Sequence, residues 1–103
     1  MWRQGDIFIA AVRQIPPAAR ESPLPHGVLV HGELTGHSHR IEDPRSAALY
    51  SGDRPTGELF VDATSRGARI VHEEHGAIDL PPGLYRVWRQ REYTPQKIVV
   101  VSD

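Results

Sequence analysis

The chain has 103 residues, with twelve Lys+Arg against thirteen Asp+Glu for a net charge of -1. That length holds one domain, residues 1–103, near the low end of what a single core stabilises, a size at which a homodimer helps. The absence of cysteine excludes disulfides, thiolate metal sites and cysteine nucleophiles, and the near-neutral charge argues against broad attraction to nucleic acid or anionic membranes.

Asp6 to Val12 alternates with both faces mostly apolar, which predicts a central strand after a turn at Gly5-Asp6. Ile15 to Pro25, with four prolines, reads as a loop. Gly27 to Leu34 alternates again and is expected to turn at Gly36 into a second extended piece, Thr35 to Ile41, stopped by Glu42-Asp43-Pro44. Arg45 to Tyr50 fits either one helical turn or a short strand, and Ser51 to Gly57 is a turn-rich connection. Glu58 to Ala63 and Ala68 to His72 read as strands around Thr64-Ser65-Arg66-Gly67, and Asp79 to Gly83 as a tight turn whose glycine can go left-handed. Leu84 to Tyr93 is the longest extended candidate; its mixed faces suggest a strand running from core to site or pairing with a second subunit. Lys97 to Val101 makes a last β-branched run. Strands at short spacing with hardly a helical period predict an all-β fold, a small antiparallel barrel or sandwich with at most one short helical turn. No apolar run approaches the roughly 20 residues that cross a bilayer, and the first residues lack a secretory signal's pattern, so a cytoplasmic location is expected.

Two stretches concentrate histidine. In an extended Thr35 to Ile41, the two-residue period puts His37 and His39 on one face with Ile41. His72-Glu73-Glu74-His75 spaces its histidines by three, so they converge only if the chain bends, and Gly76 offers a bend. This is not the zinc-protease signature, whose histidines sit four apart on a helix. Neutral imidazole is a common ligand for divalent metals, and without cysteine the ligands must be nitrogen and oxygen. The expectation is one divalent metal held by His37, His39, His72 and His75, or by three of them with a carboxylate such as Glu73 or Glu74: zinc first, with iron, nickel and manganese compatible. The competing reading of each pair is a polar surface turn. His26, in a proline loop, and His31, beside Glu33, are weaker candidates. If the protein is an enzyme, metal-dependent hydrolysis of a small anionic substrate fits, with Glu73 or Glu74 as base and Arg89, Arg91 and Tyr93 as anion-binding groups. The alternatives are a metal-free β adaptor using Leu84 to Tyr93, and a nucleic-acid accessory protein.

Gln4-Gly5-Asp6, Gly36-His37-x-His39-Arg40-Ile41, His72-Glu73-Glu74-His75, Leu80-Pro81-Pro82-Gly83-x-Tyr85 and Gln90-Arg91-Glu92-Tyr93-x-Pro95 together resemble, over nearly the full chain, a family of small uncharacterised bacterial proteins. That resemblance implies no activity. His37 and His39, with Glu42 or Asp43 after them, and the Pro81-Pro82-Gly83 turn are similar in part to the two motifs of cupins, small β-barrel metalloproteins. Arg86 stands where the last cupin histidine would be, and His72 and His75 precede the turn. The resemblance therefore implies imidazole ligands inside a barrel and not cupin chemistry.

Overall fold

Ile7–Val12 forms strand β2, and its alternation explains its place. Ile7 and Ile9 are fully buried on one face while Phe8, Ala10 and Val12 are half-buried on the other, so the strand is covered on both sides within a sheet. The computed structural model describes residues 1–31, 37–52, 58–89, 93–94 and 97–98, the backbone alone at 30, 31, 93, 94, 97 and 98.

Around β2 runs a six-stranded antiparallel sheet. It contains β1 (Trp2–Gln4), β3 (Pro23–Leu24), β6 (Ala48–Ser51), β7 (Leu59–Asp62) and β10 (Leu84–Arg89), in the order β1-β2-β10-β7-β6-β3. A second antiparallel sheet has the order β4-β5-β8-β9, from Val28–His31, Ser38–Ile41, Ala68–Val71 and Ile78–Leu80. A two-stranded ladder of β11 (Tyr93–Thr94) and β12 (Lys97–Ile98) completes the strands described. One apolar cluster draws on both sheets, with Ile7, Ile9, Val61 and Val87 from the first meeting Ile41, Ile70, Ile78 and Leu80 from the second. Each such fully buried side chain contributes about 1.5–3 kcal/mol, and this shared core holds the sheets face to face. The expected all-β antiparallel architecture is present.

Several local expectations change. The stretch expected as a loop carries one helical turn, α1 (Pro17–Arg20), with proline at its permissive first position, followed by β3. Ile15 and Ala19 pack there on Phe60, with Val12, Tyr50 and Leu84, and cover the outer face of the six-stranded sheet. Arg45 to Tyr50 does both things expected of it in turn: a 3₁₀ turn at Pro44–Ser46, capped by the Asp43 side chain, then β6. The residues Asp79 and Leu80 belong to β9, not to a turn. Among the described residues the left-handed glycines are Gly5 and Gly67, not Gly83. A Cβ on Gly67 would stand 2.3 Å from the Leu80 carbonyl oxygen, so only glycine fits.

β7 and β8 lie in different sheets, as do β9 and β10, so both connections cross the core. They are stitched together: the Ala63 N–H donates to the Gly83 carbonyl at 2.8 Å and the Gly83 N–H returns to Ala63 at 3.2 Å. β10 is not an edge. Residues 84–89 pair with β2 and 84–87 with β7, so the strand expected to reach a partner has both flanks occupied as far as Val87. No helix among the described residues is long and apolar enough to cross a membrane.

Candidate metal centre

The two histidine stretches meet because of a strand register. β5 and β8 are antiparallel, with Arg40 opposite Val71 and Ile41 opposite Ile70. Continuing that register outward sets His39 against His72, Ser38 against Glu73 and His37 against Glu74, and the side chains follow. The His39 and His72 rings are 4.4 Å apart between centroids. The Ser38 N–H donates to Glu73 Oε1 at 2.9 Å, and His37 Nδ1 lies 3.2 Å from Glu74 Oε1. The bend that adds His75 falls on residues 73–75 themselves, where the Glu74 N–H donates to His72 Nδ1 at 3.0 Å. Gly76 is not needed as a left-handed hinge.

All four histidines thereby converge: ring centroids are 5.7 Å apart for His37 and His72, 4.7 Å for His72 and His75, and 6.1 Å for His39 and His75. Within this group His37, His72 and Glu73 each offer a ligand atom within 4.8 Å of the others, a set able to hold a metal ion. Glu73 is held as an anion. Bonds from the Ser38 N–H and its own backbone N–H, and the Arg40 guanidinium 2.7 Å away, bring its pKa down to about 2. Burial, then the neighbouring His75, pushes the His72 pKa down. Burial, then the charge of His72, does the same to His39. Neutral imidazole is the form that binds a cation.

The β1–β2 hairpin supplies residues to which the sequence assigned no role. Its two-residue loop has Gly5 at φ +57°, a first position that favours glycine. Gln4 sits on a core-facing position of β1 and is 2 % exposed. Its Nε2 donates to the carbonyls of Ile70 at 3.1 Å and Gly76 at 2.8 Å, and its Oε1 faces His39 Nδ1 at 2.9 Å. Asp6 Oδ1 lies 3.2 Å from His39 Nε2, and Asp6 Oδ2 accepts from Arg89 Nε at 2.7 Å. Burial raises the Asp6 carboxyl, but the Arg89 bond and charge outweigh it and the net shift is downward.

Of the residues expected at a site, His37, His39, His72, His75, Glu73 and Glu74 come together, and Arg89 joins them through Asp6. Arg91 lies outside the described residues, as does the Tyr93 side chain. His26 is apart, its Nδ1 accepting from the Val28 N–H at 3.2 Å. Arg86, at the position of the cupin histidine, pairs with Glu58 and stacks over Trp88. Gln4, Asp6, Ser38 and Arg40 were missed as contacts, although Gln4-Gly5-Asp6 and Arg40 stand within the motifs of the family pattern.

A family model described as a domain of unknown function, DUF8820, matches residues 3–90, and the chain belongs to that family. No curated protein and no solved structure matches it.

Proposed function

We propose that this member of the DUF8820 family is a divalent-metal-binding β protein whose first ion is held by His37, His72 and Glu73, with His39 and His75 alongside. The observation that carries the reading is the mutual approach of those three ligand atoms to within 4.8 Å, across two strands whose register fixes the partners. Two imidazoles and one carboxylate suit zinc, and also iron, nickel and manganese.

For chemistry, the surroundings support hydrolysis of a small anionic substrate. A divalent ion supplies Lewis acidity and an acidified water. Glu73, with its pKa near 2, is a ligand and a poor base. Glu74, its side chain 65 % exposed and 3.2 Å from His37 Nδ1, is the carboxylate placed to act as base. Arg89, partly exposed and next to Asp6, offers the positive charge that an anion needs. The adaptor alternative loses support from the flanked position of β10.

The test is elemental analysis of untagged protein purified without chelator, beside a His37→Ala, His72→Ala double variant. At least one ion per chain in the parent and none in the variant is the expected result. A folded, metal-free parent that takes up no added zinc, nickel, iron or manganese rejects the reading. For the hydrolytic step, Glu74→Gln is expected to lower a chelator-sensitive activity by about 10²–10⁴-fold, with metal content unchanged.

A further inference from the structure

We infer that His39 and Asp6 form a second cation seat beside the His37–His72–Glu73 group, so that the centre holds two divalent ions. This rests on the metal-binding reading above and extends it to a residue outside both histidine stretches.

The argument starts from Gln4. Its Nε2 has two carbonyl partners, Ile70 and Gly76, and an amide nitrogen only donates. Its orientation is therefore set, and Oε1 is the atom turned to His39 Nδ1. A carbonyl oxygen only accepts, so the His39 proton is on Nδ1, and in the neutral ring Nε2 carries a bare lone pair. That lone pair faces Asp6 Oδ1 at 3.2 Å, a carboxylate oxygen whose partner oxygen is already occupied by Arg89. Two acceptors in contact repel unless something positive lies between them. His39 is 4 % exposed, so this contact is closed off on the side of the ring.

The spacing fits a shared ion. Metal bonds of about 2.0–2.2 Å at angles between 90° and 110° place adjacent ligand atoms roughly 2.8–3.6 Å apart. Glycine at position 5 lets the hairpin backbone approach both rings: a Cβ there would meet His75 Nε2 at 2.7 Å and His39 Cε1 at 3.3 Å, which keeps His75 beside the His39–Asp6 pair. Gln4 is a positioning residue in this arrangement, holding the tautomer that His39 needs. Paired divalent ions clamp both the attacking and the leaving oxygen in a displacement, which matches a small anionic ester or phosphate as substrate class.

Zinc stoichiometry after loading with excess zinc and gel filtration tests this on the full chain. Two ions per chain in the parent, and one each in Asp6→Asn and Glu73→Gln, is the expected pattern. One ion in the parent, or two retained in Asp6→Asn, overturns the second seat and leaves the first intact; no ion in the parent overturns both. A separate readout uses ¹⁵N NMR of the metal-free parent at pH 7. Protonation of His39 at Nδ1 alone supports the seat, whereas a doubly protonated ring means that Asp6 and His39 form an ion pair and overturns it.

Discussion

Glu73 accepts the Ser38 N–H at 2.9 Å with one carboxylate oxygen and Arg40 at 2.7 Å with the other. This carboxylate therefore continues the β5–β8 ladder one step beyond its last backbone pair. It fastens the turn that carries His72 and His75 to the strand that carries His39.

The same fastening fixes a pH dependence for the metal-free protein. His39 and His72 have folded pKa values below 6.5, so just below that pH the unfolded chain binds protons that the fold refuses, and stability rises with pH up to about 6.5. Glu73 titrates at 4.5 unfolded and at about 2 folded; its contribution is complete above 4.5 and disappears as the pH falls toward 2. Urea midpoints are expected to decline in two stages on acidification, and Glu73→Gln to make the lower stage shallower, with the lowered Asp6, Asp43 and Asp62 carboxyls keeping part of its slope. A parent equally stable at pH 5 and pH 8 contradicts the assignment of the histidines.

Gly5→Ala strains a backbone at φ +57° and pushes a methyl group into His75. The left-handed conformation costs about 1–2 kcal/mol for a residue with a Cβ, a loss that thermal unfolding resolves. Because the nearest atom belongs to a rotatable ring, the remaining strain displaces His75, and zinc affinity is expected to fall further than stability does.

Ile70 is fully buried at the point where the shared core meets the histidines. Ile70→Ala is expected to cost about 2–5 kcal/mol in urea unfolding. A loss below 1 kcal/mol means that the two sheets do not share the core described.

Zinc that binds the fold and not the unfolded chain raises stability by about 2.7 kcal/mol at a free concentration one hundred times Kd. Calorimetry with and without zinc should show an upward shift in Tm in the parent, reversed by chelator and absent in a His37→Ala, His72→Ala variant.

Much of this was legible in the residues themselves. His39 and Ile41 share a core-facing side of β5, as a two-residue period requires, and the convergence of the two histidine stretches followed from the antiparallel register together with the bend at residues 73–75. Gln4 and Asp6 were not legible, because a glutamine on the core face of a three-residue strand looks like an exposed edge residue until its distant partners, Ile70, Gly76 and His39, are placed. The α1 turn and β3 were hidden by prolines, which signal breaks while here setting a helix start and one short pairing. Nor does a Thr-Ser-Arg-Gly connection show whether its flanking strands pair or part; β7 and β8 part, because each leads its apolar side to opposite walls of one core.

The backbone stitch between Ala63 and Gly83 closes one end of the sandwich. β8 runs from that seam to the histidines, where the sheets are joined through side chains instead, Gln4 reaching from β1 to Ile70 and His39. A backbone seam opens only with its strands, whereas a side-chain clasp opens by rotation of one residue. Breathing of this molecule is therefore polarised. Amide exchange is expected to be fastest where Gln4 lets go.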